Sequence, residues 1–203
     1  MENKKVIDID NLKVEISKWA NHSMSIRGRD TLVASDKFWD KTFIDLQNNK
    51  EALEIQSLIV KPNTLLYRVH IGGNNKPDYD DYDDRGEDQN KIFEYKYKEW
   101  LDENNVEAIR FDNHWVSFTK DVDVIGSDYF GEKGRRGFVI VISSNKAINI
   151  SSFRTKVFDE QEVVAPMNKE TEIETLSFHD FIKKYGTGNS DYEKKKKLNN
   201  LKK

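Results

Sequence analysis

The spacing of apolar positions along the chain changes several times. In the first sixty residues it is three to four: Leu12, Ile16 and Trp19 form one stripe behind Asp10, a capping residue, and Trp39, Phe43 and Leu46 form a second. Both stripes predict core-forming helices. After Pro62 the texture becomes that of a strand, Thr64 to His70, β-branched and aromatic, ending at Gly72-Gly73. Residues 91–103, KIFEYKYKEWLDE, return to helical spacing with Phe93, Tyr97 and Trp100 or Leu101 on one face. Short apolar runs follow and predict strands at Val106–Phe111, Trp115–Phe118, Gly137–Ser143, Ala147–Ile150, Glu162–Pro166 and Glu172–Leu176, with one short helix over Asp121–Tyr129. Helices first and short strands later define the expected fold class, α+β, with N-terminal helices followed by a mixed, mostly antiparallel β-sheet core. The expected partition is a helical segment over 1–60, a core over 61–185 and a flexible basic tail over 186–203.

Composition narrows the classes. A chain of 203 residues suits one domain. With 36% hydrophobic and 34% charged residues, no apolar run approaches the roughly 20 residues of a membrane helix, and the N-terminus lacks the continuous apolar stretch of a secretory signal. No membrane partner is expected. The absence of cysteine excludes disulfides and thiolate metal sites and agrees with a cytoplasmic location, in the producing cell or in a target cell.

The net charge of −3 conceals unequal segments: residues 78–88, DYDDYDDRGED, are acidic, and the tail from Asp191, DYEKKKKLNNLKK, is basic. The run Lys194 to Lys197 is a place where phosphates could be met, against the plainer reading of a solvated tail. The acidic loop does not make a calcium site, because the register that puts Gly86 at the sixth position leaves Arg85 at the fifth and Ile92 at the twelfth. No metal is expected. Gly131, Gly134 and Gly137 lack the order of a dinucleotide-binding glycine loop.

Three stretches carry candidate chemistry. LLYRVH sets Arg68 in a strand otherwise apolar and aromatic; WVSFTKD alternates Ser117 and Thr119 with Val116 and Phe118; EQEVVAP puts Glu160 and Glu162 at the start of an apolar strand. If strand geometry already holds there, the two carboxylates share a face. An edge strand made soluble by charge would look the same.

In this order and setting the chain resembles the mono-ADP-ribosyltransferases of the Arg-Ser-Glu class, found among bacterial toxins, phage enzymes and vertebrate ecto-enzymes. The resemblance rests on Tyr67-Arg68, on Trp115-Val116-Ser117-Phe118-Thr119 and on Glu160-Gln161-Glu162-Val163-Val164-Ala165-Pro166, and covers about residues 64 to 176. Phe118 replaces the central Thr of the usual hydroxyl triplet and Thr119 its last Ser.

The resemblance implies a core of ADP-ribosyltransferase type and an enzyme that takes NAD as its substrate and transfers ADP-ribose. Glu162 would stabilise the positive charge that builds on the ribose as nicotinamide leaves. Arg68, beside Tyr67, would hold the pyrophosphate with its planar fork, and Arg135 and Arg136 stand where the family's phosphate-contacting loop lies. Ser117 would orient the Glu162 carboxylate, and Thr119 supplies a second hydroxyl. Glu160, two residues before the catalytic carboxylate, favours arginine as acceptor, and the preceding loop with Phe153 and Phe158 would recognise the target.

The leading expectation is modification of a protein arginine by a bacterial or phage toxin or effector, a class in which an antitoxin or immunity partner is common. Three alternatives stand beside it: transfer to a nucleic-acid base, hydrolysis of NAD by water, and a binding module that kept the fold without catalysis.

Overall fold

In the computed structural model, Asp8 rather than Asp10 starts the first helix. Its Oδ1 accepts from the Asn11 amide at 3.0 Å, which satisfies a first-turn donor, and helix α1 runs Ile9–Asn21. Asp10 lies inside the first turn, where its charge favours the positive helix end, 3.9 Å from Lys13 Nζ. The described residues are 8–21, 29–70, 77, 91–93, 95–96, 98–100, 114–130, 138–153, 160–167 and 172–201, without the side chains of 18–21, 29–35, 54, 70, 114, 172 and 173. Trp19 of the expected stripe, the expected strand Val106–Phe111 and the acidic loop segment 78–88 therefore lie outside what is described.

Further elements are α2 (Arg29–Asn48), α3 (Leu53–Gln56), β1 (Thr64–His70), β2 (His114–Thr119), α4 (Val122–Ile125), β3 (Phe138–Ser144), β4 (Ile148–Asn149), β5 (Glu162–Met167), β6 (Glu172–Leu176), α5 (Phe178–Tyr185) and α6 (Asp191–Leu201). The described residues thus form a mixed α+β structure with six strands. Strand boundaries fall within a residue or so of the expected ones. The helix expected over Asp121–Tyr129 is instead broken at 126–127: α4 comes first, capped by Asp121 Oδ1 on the Asp123 amide at 2.9 Å, and a second helical stretch follows at 128–130. Among the described residues, no helix is long and apolar enough to cross a membrane.

The chain divides into two compact units, each assembled from non-adjacent stretches: 1–65 with 111–120 and 143–171, and 66–110 with 121–142 and 172–203. The partition into successive segments expected from the sequence does not follow the packing. The N-terminal helices belong with β2, β4 and β5, because their apolar stripe is buried in one cluster with residues of those strands. Ile16, Trp39 and Leu46 are fully buried with Trp115, Ile148, Ile150 and Val164, and Phe43 and Phe153 pack on the same cluster. Each such side chain contributes roughly 1.5–3 kcal/mol of burial. Polar contacts fix the docking: Asp36 Oδ1 accepts from the Trp115 amide at 2.8 Å, and Asp40 Oδ1 accepts from the Trp115 indole at 3.2 Å and from Lys146 Nζ at 3.0 Å.

The second unit holds β1, β3 and β6, in the order β1-β3-β6. Its core gathers Tyr67, Ile125, Val139, Val141, Phe178 and Phe181. Tyr67 stands edge-on to Phe181 at 5.3 Å between ring centres, and burial, with a smaller contribution from the nearby Tyr185, pushes its phenol above the ordinary range.

The expected flexible tail is helical over Asp191–Leu201. Ser190 and Glu193 form a capping box: the Glu193 amide donates to Ser190 Oγ and the Ser190 amide to Glu193 Oε2, each at 3.4 Å, while Ser190 Oγ donates to Glu193 Oε2 at 2.7 Å and Glu193 Oε1 accepts from the Gly188 amide at 3.0 Å. The Tyr192 amide donates to the Gly126 carbonyl at 3.0 Å, and Tyr192 packs on the second core. Gly188 adopts a left-handed φ of 84° in the connecting turn, where a Cβ would also meet Lys197 Nζ at 3.0 Å. Charge alone suggested a solvated tail; the capping residues and Tyr192 tie it down.

Candidate active site

β5 is the middle strand of its unit. It pairs antiparallel with β4 (Ile148 opposite Val164, Asn149 opposite Val163) and, along its whole length, with β2. Val163, Val164 and Ala165 are fully buried, as the β-branched sequence requires of a covered strand. Pro166, which has no amide to donate, sits opposite Trp115, beyond the two residues that β4 pairs. Glu162 heads this strand at 2% exposure, and its carbonyl accepts from the Ile150 amide at 3.0 Å. The reading of an edge strand solubilised by charge therefore does not describe Glu162.

Register brings three of the expected site residues together. Thr119 lies directly opposite Glu162, and Ser117 opposite Val164, so Ser117, Thr119, Glu162 and Val164 share one face. Trp115 belongs to the same face, which is the one that α1 and α2 cover at the Trp115–Val164 end. From the diagonal position Ser117 Oγ donates to Glu162 Oε1 at 2.5 Å, shorter than an ordinary hydrogen bond. Thr119 is buried at 5% exposure. A carboxylate withdrawn from water is costly to hold, and a hydrogen bond to its charged form offsets part of that cost.

Glu160 is placed differently from the expectation of two carboxylates on one strand face. The alternation rule needs extended backbone at Gln161, and Gln161 instead has φ 46°, in the left-handed region. β5 begins only at Glu162, and Glu160 is half-buried on the approach to it. Such a conformation costs a non-glycine residue roughly 1–3 kcal/mol and persists where surrounding structure imposes it.

The remaining expected residues are distributed elsewhere. Tyr67 and Arg68 lie on β1 in the second unit, Tyr67 buried at 6% exposure in its core and Arg68 half-buried. Phe153 is half-buried on the first core rather than projecting as a target contact would. Arg135, Arg136 and Phe158 lie outside the described residues. No group of three or more His, Cys, Asp or Glu that could hold a metal occurs among the described residues. Sequence reasoning missed the part of Asp36, whose carboxylate takes the amide of Trp115 two residues before Ser117 and so anchors the start of β2. Nothing local marks that residue, since its partner is 79 positions away.

Comparisons with protein-family models, with curated proteins and with solved structures found no match to this chain.

Proposed function

We propose that the chain is an NAD-dependent mono-ADP-ribosyltransferase with Glu162 as its catalytic carboxylate and an arginine side chain of a target protein as acceptor. The observation that carries this reading is the Ser117–Glu162 hydrogen bond, which holds a buried carboxylate by one oxygen at the head of an interior strand. An interior strand that needs only solubility has no use for such a group.

In the proposed reaction the bond between the ribose C1′ and the nicotinamide nitrogen breaks, and nicotinamide departs with the bonding electrons. The charge left on the sugar is met by Glu162, whose carboxylate acts in a site of low polarity and is therefore weakly screened. A guanidinium nitrogen of the acceptor then bonds to C1′ and gives up a proton, with Glu160 orienting the guanidinium and receiving that proton. Arg68 holds the pyrophosphate, and Ser117 positions the carboxylate without touching the substrate. Thr119, opposite Glu162, supplies the second hydroxyl on that face.

The test is incubation of the protein with NAD labelled in its adenylate moiety and a cell lysate, followed by protease, nuclease or hydroxylamine. Label retained through nuclease and released by protease and by neutral hydroxylamine is the expected result. Label lost only to nuclease overturns the protein acceptor, and an absence of NAD turnover overturns the enzyme.

A further inference from the structure

Helices α5 and α6 line an open cleft of about 470 Å³ in the second unit, its surface part polar and part apolar. Its lining combines lysines from both helices, Lys183 on α5 and Lys196 and Lys197 on α6, with the rings of His179 and Tyr192. The rings meet edge-on, 5.7 Å apart, and Tyr192 is held in turn by Phe178 at 5.0 Å.

The charges in this cleft are not balanced locally. Its two carboxylates, Asp180 and Glu193, are engaged at the helix starts: Asp180 Oδ2 accepts from Ser177 Oγ at 3.0 Å, and Glu193 accepts from Ser190 Oγ and from the Gly188 amide. Lys197 Nζ donates to the Gly188 carbonyl at 3.0 Å, which leaves two of its three protons for another acceptor. Neither Lys183 nor Lys196 is engaged in an ion pair among the described residues, whereas Lys184 and Lys195, beside them in sequence, pair with Glu174 and Asp128. The cations facing the cleft are thus the ones left for a ligand.

We infer that this cleft binds the phosphates of a single-stranded nucleic acid, with Lys183, Lys196 and Lys197 meeting the backbone and the Tyr192 and His179 rings bordering a base. Lysine is a compact point charge that meets phosphate oxygens from any direction, and ring faces beside a basic track are the common arrangement for single strands. The cleft volume lies in the range of small-ligand sites, enough for about one nucleotide at a time. Its open mouth and the exposed Lys194 next along α6 suit a strand that passes through. This inference stands apart from the proposed transferase chemistry.

The test is fluorescence anisotropy of a labelled mixed-sequence 12-nucleotide strand with the full chain. Three phosphate contacts on a single strand predict about an 18-fold loss of affinity between 50 and 200 mM salt, and Lys183→Gln with Lys196→Gln reduces that loss to roughly 3-fold. Lys183→Arg with Lys196→Arg restores the steep dependence, and circular dichroism checks that each variant is folded. Absence of strand binding, or binding that the double glutamine variant leaves unchanged, overturns the site. Displacement by adenosine monophosphate at concentrations equal to the strand's overturns the strand in favour of a free nucleotide. Equal affinity for polyglutamate overturns nucleic acid in favour of an acidic peptide.

Discussion

Ser117 reaches Glu162 from the diagonal position of an antiparallel pair, its hydroxyl 2.5 Å from Oε1, while Thr119 occupies the position directly opposite. The register, not the proximity of the residues in sequence, creates this contact. A shift by one residue would turn Ser117 to the other face.

Removal of the hydroxyl tests what that contact does. A hydrogen bond to a charged group is worth about 1.5–3 kcal/mol, so Ser117→Ala is expected to lower kcat for NAD cleavage roughly 10- to 150-fold. KM for NAD should change little, and Ser117→Thr should recover part of the loss. In a Glu162→Gln background the same substitution should have almost no further effect.

Glu160 separates the two halves of the proposed reaction. Glu160→Ala should lower transfer to an arginine acceptor about 10²- to 10⁴-fold, the scale of general-base catalysis, and leave hydrolysis of NAD by water near its original rate. Equal loss of both activities would contradict the assignment of Glu160 to the acceptor. Nicotinamide release measured with and without an arginine acceptor distinguishes the outcomes.

The turn before α6 depends on Gly188. Replacement by alanine places a Cβ at φ 84° and 3.0 Å from Lys197 Nζ. The expected cost is about 1–2 kcal/mol, seen as a Tm lower by roughly 2–8 °C for a chain of this length. Because Lys197 Nζ is the flexible end of a long side chain, most of that cost comes from the backbone, so Gly188→Ala in a Lys197→Ala background should remain destabilised.

Stability should vary with pH through Glu174 and Lys184. Burial raises the Glu174 carboxyl, but hydrogen bonds from Lys184 and Tyr185 and the Lys184 charge outweigh it and hold the group below its ordinary 4.5. Its contribution is therefore present above pH 4.5 and lost as pH falls through the lower folded value. The hydrogen bond to Glu174 raises Lys184 above its ordinary 10.5 against a smaller opposing effect of burial. That contribution is present below pH 10.5 and lost as pH rises through the higher folded value. Urea unfolding of the native chain and of Glu174→Gln should differ at neutral pH and converge in acid; a constant difference down to pH 2 would contradict the pairing.

How much of this was legible in sequence depends on the range of the interactions. The strands were, because alternation and β-branched runs are local, and β5 in particular could be read from VVAP. The apolar stripe of α2 was also local, and Trp39 and Leu46 are buried as it required. The α1 cap was displaced by two residues because Asp8 and Asp10 are both capping types, and only backbone geometry selects between them. The tail was misjudged because four consecutive lysines outweighed the serine and glutamate that cap α6 and the Tyr192 that docks it. At the site, the hydroxyl and carboxylate of Ser117 and Glu162 were legible as residue types. The left-handed Gln161 between the two glutamates was not, since nothing in E-Q-E announces it.

The interleaving of the two units has a consequence for synthesis on the ribosome. Trp39 of α2 packs with Trp115 and shares a core with Val164, so the helix emerges long before the strands that shelter it. At about 5–20 residues per second, the apolar stripe waits roughly 6 to 25 seconds for its last partner. Over that interval the nascent chain carries an uncovered apolar surface that includes Trp39 and Leu46, of the kind that chaperones bind before translation ends.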